Sequence, residues 1–137
     1  MVELVTPISH LFNDSETASQ ISGLSDALEC RDRSFDSDLP NQKLFHSDYQ
    51  PIHRFNDYAF HYFEKIAKTK PELELVSFHV ASCCDKPSLK NNMFYPGGKT
   101  YTRDEMCANA IENFNQIKNI FGENIEIAIE NNNYYPT

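Results

Sequence analysis

Basic residues are scarce in this chain. Its 137 residues carry 12 Lys and Arg against 20 Asp and Glu, a formal charge of −8, and the pI is near 5.0. No general attraction to nucleic acid or anionic lipid is therefore available, and a neutral or cationic ligand is easier to accommodate. Long apolar runs are also missing. No stretch approaches the ~18 residues that a membrane span needs, and the start Met1-Val2-Glu3-Leu4-Val5 lacks a basic stretch followed by an apolar signal core. The expected setting is cytoplasmic, with no membrane partner. The four cysteines, Cys30, Cys83, Cys84 and Cys107, include no CxxC, which leaves neither a zinc ribbon nor a redox motif. Vicinal Cys83 and Cys84 read as two reduced thiols rather than a strained disulfide or a soft-metal site. No GxGxxG follows a strand and no P-loop is written, so a doubly wound dinucleotide site is not supported.

What remains is ordinary domain composition, 40% hydrophobic and 23% charged, in a chain long enough to bury about two-thirds of its unfolded surface. One domain over residues 1–137 is expected. Val2 to Pro7 reads as a first strand closed by proline, and Asn13-Asp14-Ser15 offers N-cap candidates for a helix carrying Ala18, Ile21, Leu24 and Leu28. Ala27 to Cys30 can instead begin a second strand, followed by a polar loop from Arg31 to Asn41. Lys43-Leu44-Phe45-His46 is a third strand. Phe55, Tyr58, Ala59, Tyr62, Phe63 and Ile66 then follow helical spacing and stop before Pro71.

Leu73 to Val80 is the fourth strand. Residues 85–101 form a connection longer than the ~12 to 15 residues of plain loops, so it reads equally as a lid or as a bland excursion. Thr102 to Glu105 fits a capping box ahead of a stripe of Met106, Ala110, Ile111, Phe114, Ile117 and Phe121 that Gly122 can end. Ile125 to Glu130 is a fifth, β-branched strand. Strands alternating with helices indicate an α/β fold with a mainly parallel sheet.

His46, His79 and Glu130 each stand at the C-terminal end of a predicted parallel strand. That edge is where α/β barrels gather their chemistry. Imidazole nitrogen and carboxylate oxygen suit divalent zinc, manganese or iron, so these three residues are the candidate metal ligands. Asp48 and Asp85 are near enough in sequence to orient a histidine ring or touch metal-bound water, although surface carboxylates are the commoner outcome. Glu29 is a weak candidate for a substrate hydroxyl, with an ion pair to Arg31 as the plainer alternative. Tyr49, Phe94, Tyr95, Tyr101, Tyr134 and Tyr135 fall in predicted loops, where they can stack on a sugar ring or pack at the core edge. His53 and His61 flank the first strong helix and are not taken as site residues, His61 having the spacing of a solvated helix face.

Lys43-Leu-Phe-His46, Leu75-Val-Ser-Phe-His79 and Ile127-Ala-Ile-Glu130-Asn131 resemble the third, fourth and fifth strands of the xylose-isomerase-like TIM barrels, which include sugar isomerases, epimerases and endonuclease-IV-type enzymes. The resemblance spans nearly the whole chain. It implies that His46 and His79 line a metal centre, that Glu130 is a metal-binding and catalytic carboxylate, and that Asn131 contacts substrate or supports the ligands. Glu29 and Tyr49 join Asn131 as candidate substrate contacts. The implied activity is metal-dependent isomerisation or epimerisation of a small sugar-like substrate, with phosphodiester hydrolysis as the alternative and a non-catalytic association module as a third reading. Nucleic acid is disfavoured by the acidic balance. A (β/α)₈ barrel needs about 200 residues or more. Five strands therefore read as the N-terminal part of a barrel, incomplete and inactive as this fragment, either truncated or completed by a homodimer through exposed sheet edges.

Overall fold

The computed structural model describes residues 3–91 and 93–131. In chain order the elements are β1 (Val5–Pro7), a 3₁₀ turn (His10–Asn13), α1 (Ser15–Leu24), β2 (Ala27–Arg31), β3 (Gln42–Ser47), α2 (Asp57–Thr69), β4 (Leu75–Val80), β5 (Ser88–Lys90), β6 (Met93–Tyr95), α3 (Arg103–Phe121) and β7 (Glu126–Asn131). Each helix starts where a side chain can satisfy an orphan amide. Asp14 accepts from the Thr17 N–H, Asn56 from the Ala59 N–H, and Thr102 with Glu105 completes the reciprocal capping box. Gly122, at φ 98°, takes the chain out of α3 in a region that a side chain would disfavour.

Five strands form one parallel sheet in the order β1-β2-β3-β4-β7, and β5 and β6 form a separate antiparallel pair. The order in space follows the order in the chain. Right-handed crossovers between parallel neighbours that always step the same way place their helices on one face, whereas a doubly wound sheet reverses direction and covers both. The core lies on that helical face. Phe45, Val76, Phe78 and Ile127 from the strands meet Ala59, Phe63 and Ile66 of α2 and Ile117 of α3. Phe63 is fully buried and packs its ring against Tyr49, Phe55, Tyr62, Phe78 and Phe121.

Pleating sends alternate residues to the opposite face. The residues that alternate with this core are Glu29, Arg31, Leu44, His46, Leu75, Ser77, His79, Ala128 and Glu130, and the register aligns them in rows: Glu29 with Leu44 and Leu75, Arg31 with His46, Ser77 and Ala128, and His79 with Glu130. A register shift between Leu28 and Glu29 sets the first of these rows by pairing Glu29 with Leu44 rather than Lys43.

Several boundaries differ from the sequence expectations. Val2 lies outside the described residues, and Glu3 and Leu4 precede β1. Leu28 belongs to β2, because α1 stops at Leu24. Phe55 is buried but precedes the cap at Asn56; helical register begins only after it, so Tyr58 turns outward and is 75% exposed. On α3 the buried line runs through Asn113 and Ile117, leaving Ile111 exposed. Residues 85–101 are not structureless, since they contain the β5–β6 hairpin.

Candidate metal centre

His46 is the next-to-last residue of β3, and His79 the next-to-last of β4. Ser77 stands directly across from His46, so His79, two residues further along the same face, lies diagonal to it. The rings meet edge to face with centroids 4.4 Å apart, and their Nε2 atoms are 2.8 Å apart. That separation is a hydrogen-bond distance between the rings; two nitrogens bound at about 2.0 to 2.1 Å to one tetrahedral ion stand about 3.3 Å apart, so the rings need to part by only about half an ångström to share a cation. His46 Nδ1 faces Ser77 Oγ at 2.8 Å. With Nδ1 protonated and donating to Ser77, Nε2 presents its lone pair toward His79 and the rim.

Asp48 lies just beyond the end of β3, with Oδ1 3.9 Å from His79 Nε2. One ligand atom from each of His46, Asp48 and His79 falls within 4.8 Å of the others, and the three residues can hold a metal ion. Glu130, directly across from His79 on β7, places Oε2 3.6 Å from His79 Nδ1 and 3.8 Å from His46 Nε2. His79 Nδ1 is a buried atom with no hydrogen-bond partner. A small rotation of Glu130 would give it one, the carboxylate–histidine arrangement that fixes a metal-binding ring. Burial, followed by the neighbouring His79, pushes the His46 pKa below its ordinary 6.5, which keeps the imidazole neutral and competent to ligate.

The loop from β3 to α2 is tied down from three directions. Asp32 accepts the Asp48 N–H at 2.6 Å and, through its other oxygen, the Tyr62 hydroxyl. Gln50 Oε1 accepts the N–H groups of Ala81 and Ser82, just past β4. Buried Asn113 of α3 donates to the carbonyls of Pro51 and His53, and Asn109 to that of Ile52. Sequence reading singled out none of these. Asn113 was findable, because it falls three residues after Ala110 and four before Ile117 on the apolar stripe of α3. Asp32 and Gln50 carry no such local signal, their partners being 16 or more residues away.

The remaining candidates divide. Glu29 is engaged by Arg31, with Nε to Oε1 2.6 Å, and does not reach the histidines. Asn131 follows Glu130 onto the alternate face of β7 and is exposed. Half-buried Tyr49 packs among Phe55, Tyr62 and Phe63, and lines a cleft of about 390 Å³ with Asp32, Asp48, Tyr58 and Tyr62. Asp85 turns away to accept the Lys99 N–H. Tyr101 is buried and stacks on His53, whose Nε2 donates to the Ser82 carbonyl; Tyr95 is exposed. His61 stays on the exposed face of α2. Phe94 belongs to β6, while Tyr134 and Tyr135 lie outside the described residues. All four cysteines are free thiols. Among the described residues no helix is long and apolar enough to cross a membrane.

No protein family, curated protein or solved structure matches the chain. The functional reading therefore rests on the residues and their geometry.

Proposed function

We propose that this chain carries the metal-binding strands of a xylose-isomerase-like (β/α) barrel, and that it acts on a small sugar-like substrate by metal-dependent isomerisation or epimerisation. The observation that carries the reading is the convergence of His46, His79 and Asp48, with Glu130 beside them, on the C-terminal edge of a sheet wound in one direction. His46, His79 and Asp48 are the ligands in this reading, to zinc, manganese or iron. When bound, such an ion polarises a substrate carbonyl or hydroxyl.

Ser77 holds the His46 ring through Nδ1, which frees Nε2 as the ligand when Nδ1 carries the proton, and Asp32 keeps the Asp48 backbone against the rim. Glu130 is more than half exposed and adjoins both rings, so its carboxylate is free to take a proton from one substrate atom and return it to another. Among the described residues the histidine-bearing face of the sheet carries no helix, and its edge strands are open to pairing with a second copy.

The first test is metal content. Elemental analysis after dialysis against zinc should give about one equivalent per chain for the wild type, falling to background for His46→Ala and His79→Ala. Unchanged stoichiometry in both variants removes the proposed ligands. A second reading, endonuclease-IV-like hydrolysis of a phosphodiester, is favoured by the paired strand-end histidines. Metal-dependent nicking of an abasic-site oligonucleotide supports it, whereas turnover of a ketose panel supports the isomerase.

A further inference from the structure

Three successive loops at the C-terminal edge enclose a cleft of about 790 Å³. They are the loops after β1, β2 and β3, and the cleft is lined by His10, Arg31, Arg33, Asp32, Asp36 and Asp48 among others. Its volume lies within the ~300 to 1,000 Å³ of small-molecule pockets. Asp48 joins this cleft to the histidine pair, since it lines the one and stands 3.9 Å from His79 in the other.

The cleft concentrates charge of both signs, two arginines among three aspartates. The chain has a formal charge of −8, yet two of its four arginines, Arg31 and Arg33, face this one space. Arg31 is partly neutralised by Glu29. Arg33 is exposed and has no carboxylate within 4.0 Å among the described residues. Of the acids on the wall, Asp32 has both oxygens occupied by the Asp48 N–H and the Tyr62 hydroxyl, and Asp48 belongs to the metal group. All three aspartates of the wall keep their charge, because the donors to Asp32 are neutral, and the lining without an ion is net negative by one. A divalent cation held by His46, His79 and Asp48 would shift the formal charge of this lining from −1 to +1, with the Arg33 guanidinium on one side and the ion on the other.

We infer that the cleft is the substrate pocket of the metal centre and that it takes an anionic polyol, a sugar carrying one phosphate or carboxylate. The anion is held by Arg33 with help from Arg31, and the hydroxyl or carbonyl end reaches the Asp48 side. A planar guanidinium pairs two N–H groups with two oxygens of such an anion, a geometry that a neutral sugar cannot use. This inference rests on the proposed metal reading and narrows its substrate class.

The test is calorimetric titration of the full chain, zinc-loaded and metal-free, with ribose, ribose 5-phosphate and ribonic acid. The phosphate, the acid, or both should bind at least about tenfold tighter than ribose, and Arg33→Ala should remove most of that preference while Arg33→Lys retains part of it. Arg33 is exposed, so its replacement leaves the fold intact, which circular dichroism checks. Equal affinities for ribose and both anions, or a preference that survives Arg33→Ala, would overturn the inference even where zinc binds stoichiometrically. Zinc that fails to bind, with an Arg33-dependent anion preference still present, would instead overturn the metal reading and leave the anion pocket standing. Tighter Arg33-dependent binding of an abasic oligonucleotide than of either small anion would also overturn it, by assigning the cleft to a nucleic-acid backbone.

Discussion

Asp32 accepts the backbone N–H of Asp48 across 16 residues of sequence, and so fastens the loop after β3 to the loop after β2. The same carboxylate accepts the hydroxyl of Tyr62, a residue of α2. Burial, and then this hydrogen bond, raise the Tyr62 pKa well above its ordinary 10, so the phenol stays protonated and remains a donor throughout the physiological range. One side chain thus links two rim loops and a helix at the point where the candidate ligand Asp48 emerges.

Replacing Asp32 by alanine would strand the partly buried Tyr62 hydroxyl and release the Asp48 amide. Loss of such a charged acceptor costs about 1 to 3 kcal/mol. Urea unfolding should show that decrease for Asp32→Ala and a smaller one for Asp32→Asn, whose carbonyl oxygen can still accept one of the two bonds. Zinc affinity should fall about three- to tenfold in Asp32→Ala because Asp48 is no longer held at the rim. An unchanged affinity in a folded Asp32→Ala protein would detach Asp48 from the site.

His46 makes stability and metal retention depend on pH in the same direction. Its folded-state pKa lies below the 6.5 of an unfolded histidine, chiefly through burial. The unfolded chain therefore binds the proton first, and the stability contributed by neutral His46 is fully present above pH 6.5 and lost as pH falls from there through the folded pKa. With a chelator present, urea midpoints of the wild type should drop between pH 7.5 and 5.5, and the drop should be smaller in His46→Asn. Without chelator and with zinc supplied, the wild-type drop should steepen, because protons and metal compete for Nε2.

Much of this architecture was legible because it is periodic. The alternation of Val76 and Phe78 with Ser77 and His79, and the strand-end positions of His46 and Glu130, follow from a period of two that the sequence displays openly. The capping residues Asn56 and Thr102 are likewise local signals. What escaped reading depends on contacts between distant segments. The outward turn of Tyr58 depends on where α2 begins. The direction of Asp85 depends on Lys99, and the role of Asp48 on a tether from Asp32. Asn131 is a case where adjacency in sequence and placement differ. Its adjacency to Glu130 invites a shared role, but strand pleating separates neighbours onto opposite faces.

The thiols offer an independent check on the core. Burial raises the Cys30 pKa from 9.0 to about 11, with nearby Asp32, Asp36 and Glu29 adding to the shift against Lys70, whereas Cys107 is exposed on α3. At pH 8 a thiol reagent should label Cys107 first and Cys30 only at the rate of unfolding, which denaturant would raise to the rate of a free thiol. Because the unfolded thiol ionises near 9 and the folded one near 11, stability should decline as pH rises through that interval. Early labelling of Cys30 in the native protein would contradict its place beneath α2, beside Phe45.

The start of α3 should respond to acid in a way that one substitution isolates. The Glu105 carboxylate accepts from the Lys99 ammonium at 2.9 Å and from the Thr102 N–H at 2.8 Å, and these bonds, led by Lys99, hold its pKa at about 2 rather than 4.5. A carboxyl group with a depressed folded pKa contributes stability that is complete above the unfolded value and vanishes as pH falls through the folded one. The relevant window therefore runs from about pH 4.5 down to about pH 2. The side chain is solvent-exposed, so salt will screen the Lys99 part while leaving the Thr102 hydrogen bonds of the capping box. Thermal melts of Glu105→Gln against wild type should differ at pH 6 and converge toward pH 2, with the pH 6 difference reduced but not abolished by 0.5 M salt. A difference that persisted undiminished at pH 2 would show that the residue acts through packing, not through its charge.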